Sequence, residues 1–457
     1  MHVITVEVPQ LGNRCHLVHD GHQALVVDPP RDFAPVERVA ERHEVQIAAV
    51  ADTHVHNDYV SGALALARRH GADYLLSADE SVAFERVGVR DGDVVTVGGL
   101  AVRVIDTPGH TRHHQSFLVG SDASPTPALF SGGSLLLGTV GRTDLVDDLL
   151  THDLARRQWA SARTLASLHP STSLHPTHGF GSFCASSTPS DGSGTTIGEQ
   201  LATNPALTLD RDTFVAGLVA GFGPVPAYYA HMASLNRAGA GRRVPRPARQ
   251  LNADELAAAL ARGAWVVDLR ARGTYAEGHL PGSVSIEFST QFATYVGWLV
   301  PWATHQAGDL VVVTDDVRGL APALRDLAGI GIDGVAIHVV ADRRPLISSY
   351  PRTDWAGFRD HLGGPAEPGR DVVVDVRQRD EWAAGHLPGA VHVPVQDVEA
   401  AATQLPPGRM WVYCRSGYRA GIAASILHRA GRDVVHVDDD WSRVAELAIP
   451  TASGVAA

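Results

Sequence analysis

The sequence predicts a multidomain α/β protein, and three observations carry that prediction. At 457 residues the chain is too long for one hydrophobic core, since cores stop growing near ~250–300 residues. Its second half contains an internal repeat. VVDLRARGTYAEGHLPGSVSI around Asp268 matches VVDVRQRDEWAAGHLPGAVHV around Asp375, and the pairs Asp268/Asp375, His279/His386 and Pro281/Pro388 share one offset of 107 residues. Each copy reads as an apolar strand, a short helix, a Gly-His-Leu-Pro-Gly turn and another strand; later, LVVVT and MWVYC each lead into an Ala/Leu-rich helix. Strands that alternate with helices predict a parallel sheet covered by helices on both faces.

Boundaries follow from composition. Residues 237–250, RAGAGRRVPRPARQ, and 361–370, HLGGPAEPGR, are rich in Arg, Pro and Gly and suit exposed linkers. They divide the chain into domains at 1–240, 250–360 and 365–457. The polar stretch SSTPSDGSGTT (186–196) reads as a loop inside the first. With 44% hydrophobic and 19% charged residues the chain reads as globular and soluble, and its net charge of −12 argues against a nucleic-acid partner. No apolar run approaches the ~18 residues of a spanning helix, so no membrane partner is expected. The start lacks a basic segment followed by an apolar one, and the three cysteines (Cys15, Cys184, Cys414) are far apart. We therefore expect no signal peptide, no disulfide framework and a reducing cytoplasm.

In WVYCRSGYRAGIAASIL (411–427) an apolar strand ends at Cys414 and a helix starts a few residues later. That junction holds a sulfur anion where backbone N–H groups and the helix dipole stabilise it. Arg415 and Arg419 add positive charge, so Cys414 is the candidate nucleophile, with Ser416, Gly417 and Tyr418 completing a substrate-binding loop. The C-x4-R spacing is one residue shorter than the C-x5-R ring of cysteine phosphatases, and suits sulfane sulfur rather than phosphate. With the Asp-x-Arg and Gly-His-Leu-Pro-Gly segments upstream, this resembles the rhodanese family of sulfurtransferases. The first copy departs at the key position: LVVVTDDVRGLA stands where the second has MWVYCRSGYRAG, and with Asp315 read at the Cys position residues 250–360 resemble an inactive rhodanese domain. His279 and His386 read as turn residues rather than catalysts.

The N-terminal region carries a second constellation. His54, His56 and Asp58 (DTHVHNDYVSG) follow the strand QIAAV, and His110 (TPGHT) and His178 (PTHGFGSFC) each follow a further apolar strand. Imidazole ligands gathered at strand ends suit zinc or iron. Four histidines in such contexts resemble the metallo-β-lactamase fold, an αββα sandwich. THVHNDYVSG, TPGHT, LGTVGRTDL, PTHGFGSFC, TIGEQLATNPAL and PAYYAHMASLNRAG are similar to persulfide dioxygenases fused to rhodanese domains. The resemblance implies a non-haem iron that oxidises a low-molecular-weight persulfide with O₂. It also implies a rhodanese that passes sulfane sulfur to or from thiosulfate, Arg142 as an anion-binding residue and Cys184 as a persulfide relay. The residue-level alternatives are a salt bridge for Arg142 and a buried hydrophobe for Cys184.

Two positions depart from that pattern. Tyr59 stands where the dinuclear enzymes have a further His, and Gly133 (LFSGGSLL) stands where the family has its carboxylate ligand. Three outcomes stay open: a three-His site of His54, His56 and His110, a substitute carboxylate such as Asp58, or no metal. Correspondingly, the expected function is a persulfide-metabolising sulfurtransferase. One alternative makes the metal domain a non-catalytic binding or assembly module, and another makes it a metal-dependent thioester hydrolase. The oligomeric state and the physiological thiol are left open.

Overall fold

A computed structural model describes residues 1–122, 124–185, 196–239, 248–340, 347–362 and 371–454. Most of the two expected linkers (240–247 and 363–370) and of the polar loop (186–195) lie outside the described residues. The chain forms two compact units, one of residues 1–244 with 325–332, the other of 245–324 with 333–457.

The first unit is built on eleven strands: β1 His2–Val8, β2 Asn13–His19, β3 Gln23–Val27, β4 Gln46–Ala51, β5 Asp73–Ser77, β6 Val87–Val89, β7 Val94–Val97, β8 Leu100–Asp106, β9 Gln115–Ser121, β10 Ser124–Gly132 and β11 Ser173–Pro176. They form two sheets, ordered β1-β2-β3-β4-β5-β6 and β11-β10-β9-β8-β7. The inner faces share one core, in which Val18, Leu25, Val27 and Ala51 of the first sheet meet Val102, Val104, Phe117 and Phe130 of the second. Complete burial of side chains such as Phe117 and Phe130 stabilises the sandwich by ~2–3 kcal/mol each. Outside the first sheet, Val36 and Ala40 of helix Ala34–Arg42 and Leu64, Leu66 and Ala67 of helix Ala63–His70 close a second core. Outside the other, Ala155, Ala162 and Leu165 of helix Thr151–Ala166 pack with Phe214 and Leu218 of helix Arg211–Ala220. The result is the expected αββα sandwich, with its histidine-bearing loops following β4, β8 and β11.

The second unit contains two sheets, one per repeat copy. Strands β12 Trp265–Asp268, β13 Val284–Ser285, β14 Leu310–Thr314 and β15 Ala336–Val339 form the first; β16 Arg352–Thr353, β17 Asp371–Asp375, β18 Val391–His392, β19 Arg409–Tyr413 and β20 Val434–Val437 form the second. Their orders are β13-β12-β14-β15 and β16-β20-β19-β17-β18, with every pairing parallel. Central strands such as WVVD and LVVVT are buried along their whole length, as strands covered on both faces must be. Among the described residues no helix is long and apolar enough to cross a membrane.

The repeated motif explains itself in three dimensions. Arg270 grips Asp268 through Nε (2.9 Å) and an outer nitrogen (2.6 Å), and that nitrogen also donates to the Gly278 carbonyl at 3.0 Å. Arg377 does the same to Asp375 (3.0 and 2.6 Å) and to the Gly385 carbonyl (2.5 Å). The planar fork of arginine thus ties each strand end to the Gly-His-Leu-Pro-Gly turn. His279 and His386 donate from Nδ1 to the carbonyls of Tyr275 and Trp382 (2.9 Å each) and stack on those rings at 4.0 and 3.6 Å.

Candidate functional site

The loop after β4 delivers His54, His56 and Asp58 to the sandwich edge, where the loops after β8 and β11 bring His110 and His178; all five are buried. One ring nitrogen each of His54, His56 and His178 lies within 4.8 Å of the other two, and a second such trio joins His110, His178 and the Cys184 sulfur. Nε2 of His54 and Nε2 of His178 are 3.3 Å apart. Polar partners orient these rings. His110 Nδ1 donates to the Arg142 carbonyl at 2.7 Å, His178 Nδ1 lies 2.9 Å from Asn13 Oδ1, and Asn13 donates to Asp58 at 2.7 Å. His56 Nε2 sits 3.2 Å from Asp28 and 2.9 Å from the Tyr59 hydroxyl. Tyr59, at the position of the further His, therefore engages a histidine nitrogen itself.

Burial dominates the protonation of the cluster. It lowers the pKa of His54 and His178 and takes His110 down to about 3, so these rings are neutral and free to donate lone pairs. His56 differs. Burial opposes its charge too, but the carboxylates of Asp28, Asp52 and Asp58 outweigh that and raise its pKa.

The donor set fits a metal. His56 Nδ1, Asp58 Oδ1 and His110 Nε2 are buried without a hydrogen-bond partner, which is costly for polar atoms unless something coordinates them. The fit is incomplete at Gly133. A Cβ there would lie 2.2 Å from His110 Cδ2, so the histidine ring fills the space a carboxylate ligand would need. The Gly133 N–H donates to Nε2 of His114 (3.0 Å), whose Nδ1 is 2.8 Å from Thr107 Oγ1 and whose ring stacks on His54 at 4.9 Å. Sequence reasoning missed His114. The signal was the pair His113-His114 before β9, of which only the second is buried.

Of two other candidates, Arg142 is engaged within the chain and Cys184 is buried beside the histidines. Arg142 is spent on Asp144 (2.7 and 2.6 Å) and the carbonyls of Gly223 and Phe183, and is 5% exposed: it is a structural ion pair rather than an open anion site. Cys184 is fully buried and its thiol pKa is raised by that burial, yet its sulfur lies beside His110 and His178. Cys15, also fully buried, belongs to the core under the first sheet.

In the second unit, Cys414 follows β19 directly and is 1% exposed. Gly417 turns the chain with φ +82°, and helix Tyr418–Arg429 starts on it. A Cβ at Gly417 would meet the Asp438 carboxylate at 2.0 Å, so this turn needs glycine twice over. Arg419 points back under the loop and is fixed by Glu381 through two bonds of 2.5 and 2.7 Å. Arg415 and Ser416 are exposed at the mouth, while Tyr418 is half-buried.

The first copy requires a correction. Asp268 pairs with Val313 as Asp375 pairs with Tyr413, so the position matching Cys414 is Thr314, not Asp315. Thr314 still pairs with Val339 as the last residue of β14, and its hydroxyl donates to the Asp316 carbonyl at 3.1 Å. The first copy contains no cysteine at all.

Comparison with known proteins agrees with this architecture. The rhodanese-like domain family matches residues 252–333 and 359–447. A crystal structure of a metallo-beta-lactamase from Staphylococcus aureus subsp. aureus COL is 25% identical and superposes with a TM-score of 0.65, covering 74% of this chain and 98% of that one. Among curated proteins, the hydroxyacylglutathione hydrolase of Pseudomonas putida (strain GB-1) is 40% identical over 121 residues, 26% of this chain and 46% of that protein. That of Cupriavidus taiwanensis is 33% identical over 172 residues, 36% of this chain and 61% of its own. The chain spans about half the length of the curated relatives it matches. This protein is a fusion of a metallo-β-lactamase-fold domain with two domains of the rhodanese-like family.

Proposed function

We propose that the chain is a sulfurtransferase of persulfide metabolism, with Cys414 carrying the sulfur. The observation that supports it most is the Cys414–Arg419 loop, in which a cysteine at a strand end faces a helix start while Arg419 is pinned by Glu381. The Cys414 thiolate attacks the outer sulfur of thiosulfate or of a persulfide. The S–S bond breaks, and sulfite or a thiolate leaves with the electron pair. An acceptor thiolate then attacks the terminal sulfur held on Cys414 and displaces the Cys414 thiolate. Helix-start N–H groups and the arginines balance the charge at each stage. The first copy, without a thiol, takes no part in bond exchange. Thiosulfate:cyanide transfer by the purified chain tests this reading, and its absence would refute it.

For the N-terminal domain we propose a metal held by His54, His56, His110 and His178, with Asp58, whose Oδ1 has no hydrogen-bond partner, as a carboxylate beside His178. Bound by these residues, iron would supply the redox chemistry for oxidising a persulfide with O₂. The chain's own part is to present the neutral imidazoles of His54, His110 and His178, with His56 giving up its proton to bind, and to orient the rings through Asn13, Asp28 and the Arg142 carbonyl. Elemental analysis should find metal in the wild type and none in the His54→Ala/His110→Ala double variant; retention at wild-type stoichiometry excludes this ligand set. Gly133 favours a second reading, in which the domain binds persulfide without oxidising it, because no side chain there supplies an anionic ligand. Oxygen uptake with glutathione persulfide after anaerobic iron loading separates the two.

A further inference from the structure

The two repeat copies share a position with opposite fates. Arg272 and Arg379 both lie four residues after the strand-ending aspartate, at the start of the short helix. Arg379 is exposed. Arg272 is half-buried and reaches into the other copy: Nε donates to Asp438 Oδ1 at 2.7 Å, and an outer nitrogen lies 3.4 Å from the Ser416 carbonyl. Its remaining nitrogen holds Glu287 at 2.7 Å.

Asp438 is the residue against which Gly417 turns. The far side of the cysteine loop is thus gripped at three points: His436 Nε2 lies 2.8 Å from the Gly417 carbonyl, Arg272 meets the Ser416 carbonyl, and the Arg272–Asp438 pair backs Gly417. The first copy holds Tyr418 as well, since its hydroxyl donates to the Glu287 carbonyl at 2.8 Å and accepts from Ser289 at 3.1 Å.

A carboxylate packed behind Gly417 puts negative charge on the far side of a loop that must stabilise a sulfur anion, and like charges repel more strongly at low dielectric. Burial alone would push the Asp438 carboxyl up, but its bonds to Arg272 and Arg352 outweigh burial and hold it below the usual range. Asp438 is therefore charged, and needs its arginines.

We infer that Arg272, supplied by the repeat copy that has no thiol, is a positioning residue for sulfur transfer at Cys414: it neutralises Asp438 and clamps the Ser416–Gly417 turn. The inference rests on the sulfurtransferase reading, and two readouts keep them separable. Thiosulfate:cyanide kinetics report transfer; the rate at which iodoacetamide alkylates Cys414, followed on its peptide by mass spectrometry, needs no sulfur substrate. Arg272→Ala should lower both kcat and the alkylation rate about tenfold, with KM little changed, as expected when a reacting group is misplaced or faces a new charge. Adding Asp438→Asn should recover much of both losses, because the charge that Arg352 alone is left to balance is then gone. Arg409→Ala, which breaks an exposed pair with Asp433 at the far end of β19, should change neither. Should Arg272→Ala fail to fold, Arg272→Lys, which keeps the charge but not the fork, decides the matter by an intermediate kcat. Wild-type rates in Arg272→Ala or Arg272→Lys, or a loss that Asp438→Asn does not relieve, would overturn the inference. A wild type that transfers no sulfur, with alkylation still slowed by Arg272→Ala, would instead overturn the sulfurtransferase reading alone.

Discussion

The two repeat copies share a frame and differ in one loop. In both, an aspartate ending the strand next to a sheet edge is gripped by an arginine two residues on, and that arginine ties down the turn bearing a stacked histidine. The strand that follows is buried throughout in the first and nearly so in the second. Beyond it they part. The second copy runs Cys414–Gly417 before its helix, with arginines on either side; the first runs Thr314–Asp316 before a helix at Val317, one residue shorter and with two aspartates. Its Arg318 is spent on Asp316. Fold and chemistry are therefore separately encoded: the Asp-x-Arg and turn segments build the frame whether or not the loop can hold a sulfur anion.

That separation predicts a series of effects. The largest should come from Glu381, which fixes Arg419 and has Thr274 as its counterpart in the first copy. Glu381→Gln should cut thiosulfate:cyanide transfer about a hundredfold, since displacing a reacting group's partner by ~1 Å costs on that order, while leaving the fold intact by circular dichroism. An undiminished rate would mean that Arg419 needs no anchor.

A smaller effect concerns His436, whose place in the first sheet is taken by Ile337. Burial lowers the His436 pKa from 6.5 to about 4. The unfolded chain takes up this proton near pH 6.5 and the folded chain refuses it until about pH 4, so the contribution to stability is complete above pH 6.5 and is lost as pH falls. Within that window His436 should cost on the order of 1.4 kcal/mol per pH unit, and His436→Gln should give a shallower fall in urea midpoint with acid. Equal slopes would remove His436 from the account.

The smallest expected effect is none. Thr314→Cys in a Cys414→Ser background should transfer no sulfur, because a thiol at Thr314 would be followed by Asp315 and Asp316, where Cys414 has Arg415 and Arg419 close behind it. Measurable turnover would show that the frame alone suffices.

What the sequence revealed divides along the same line. The frame was legible because turns, buried strands and caps are local, and the 107-residue offset exposed them twice. The histidine loops were legible for the same reason, each lying just after an apolar strand. Less so were features that depend on register or packing. Asp315, the first charge after an apolar run, is not the strand's end: LVVVT set on MWVYC residue by residue puts Thr314 at the Cys position, and Thr314 continues the ladder with Val339. His114 and His113 are neighbours in sequence, and only the packing of β9 buries one of them against His54. The Arg142–Asp144 pair and the His110 ring over Gly133 are likewise set by tertiary contacts.

The account rests on Cys414 as the sulfur carrier, and one measurement reaches it directly. Purified protein is incubated with thiosulfate, its intact mass is read without reductant, and Cys414→Ser is treated alongside. The wild type should gain the mass of one sulfur atom, located to the Cys414 peptide and removed by cyanide, while Cys414→Ser gains nothing and has no thiosulfate:cyanide activity. Sulfur carried on Cys184 instead, or full transfer activity in Cys414→Ser, would contradict it.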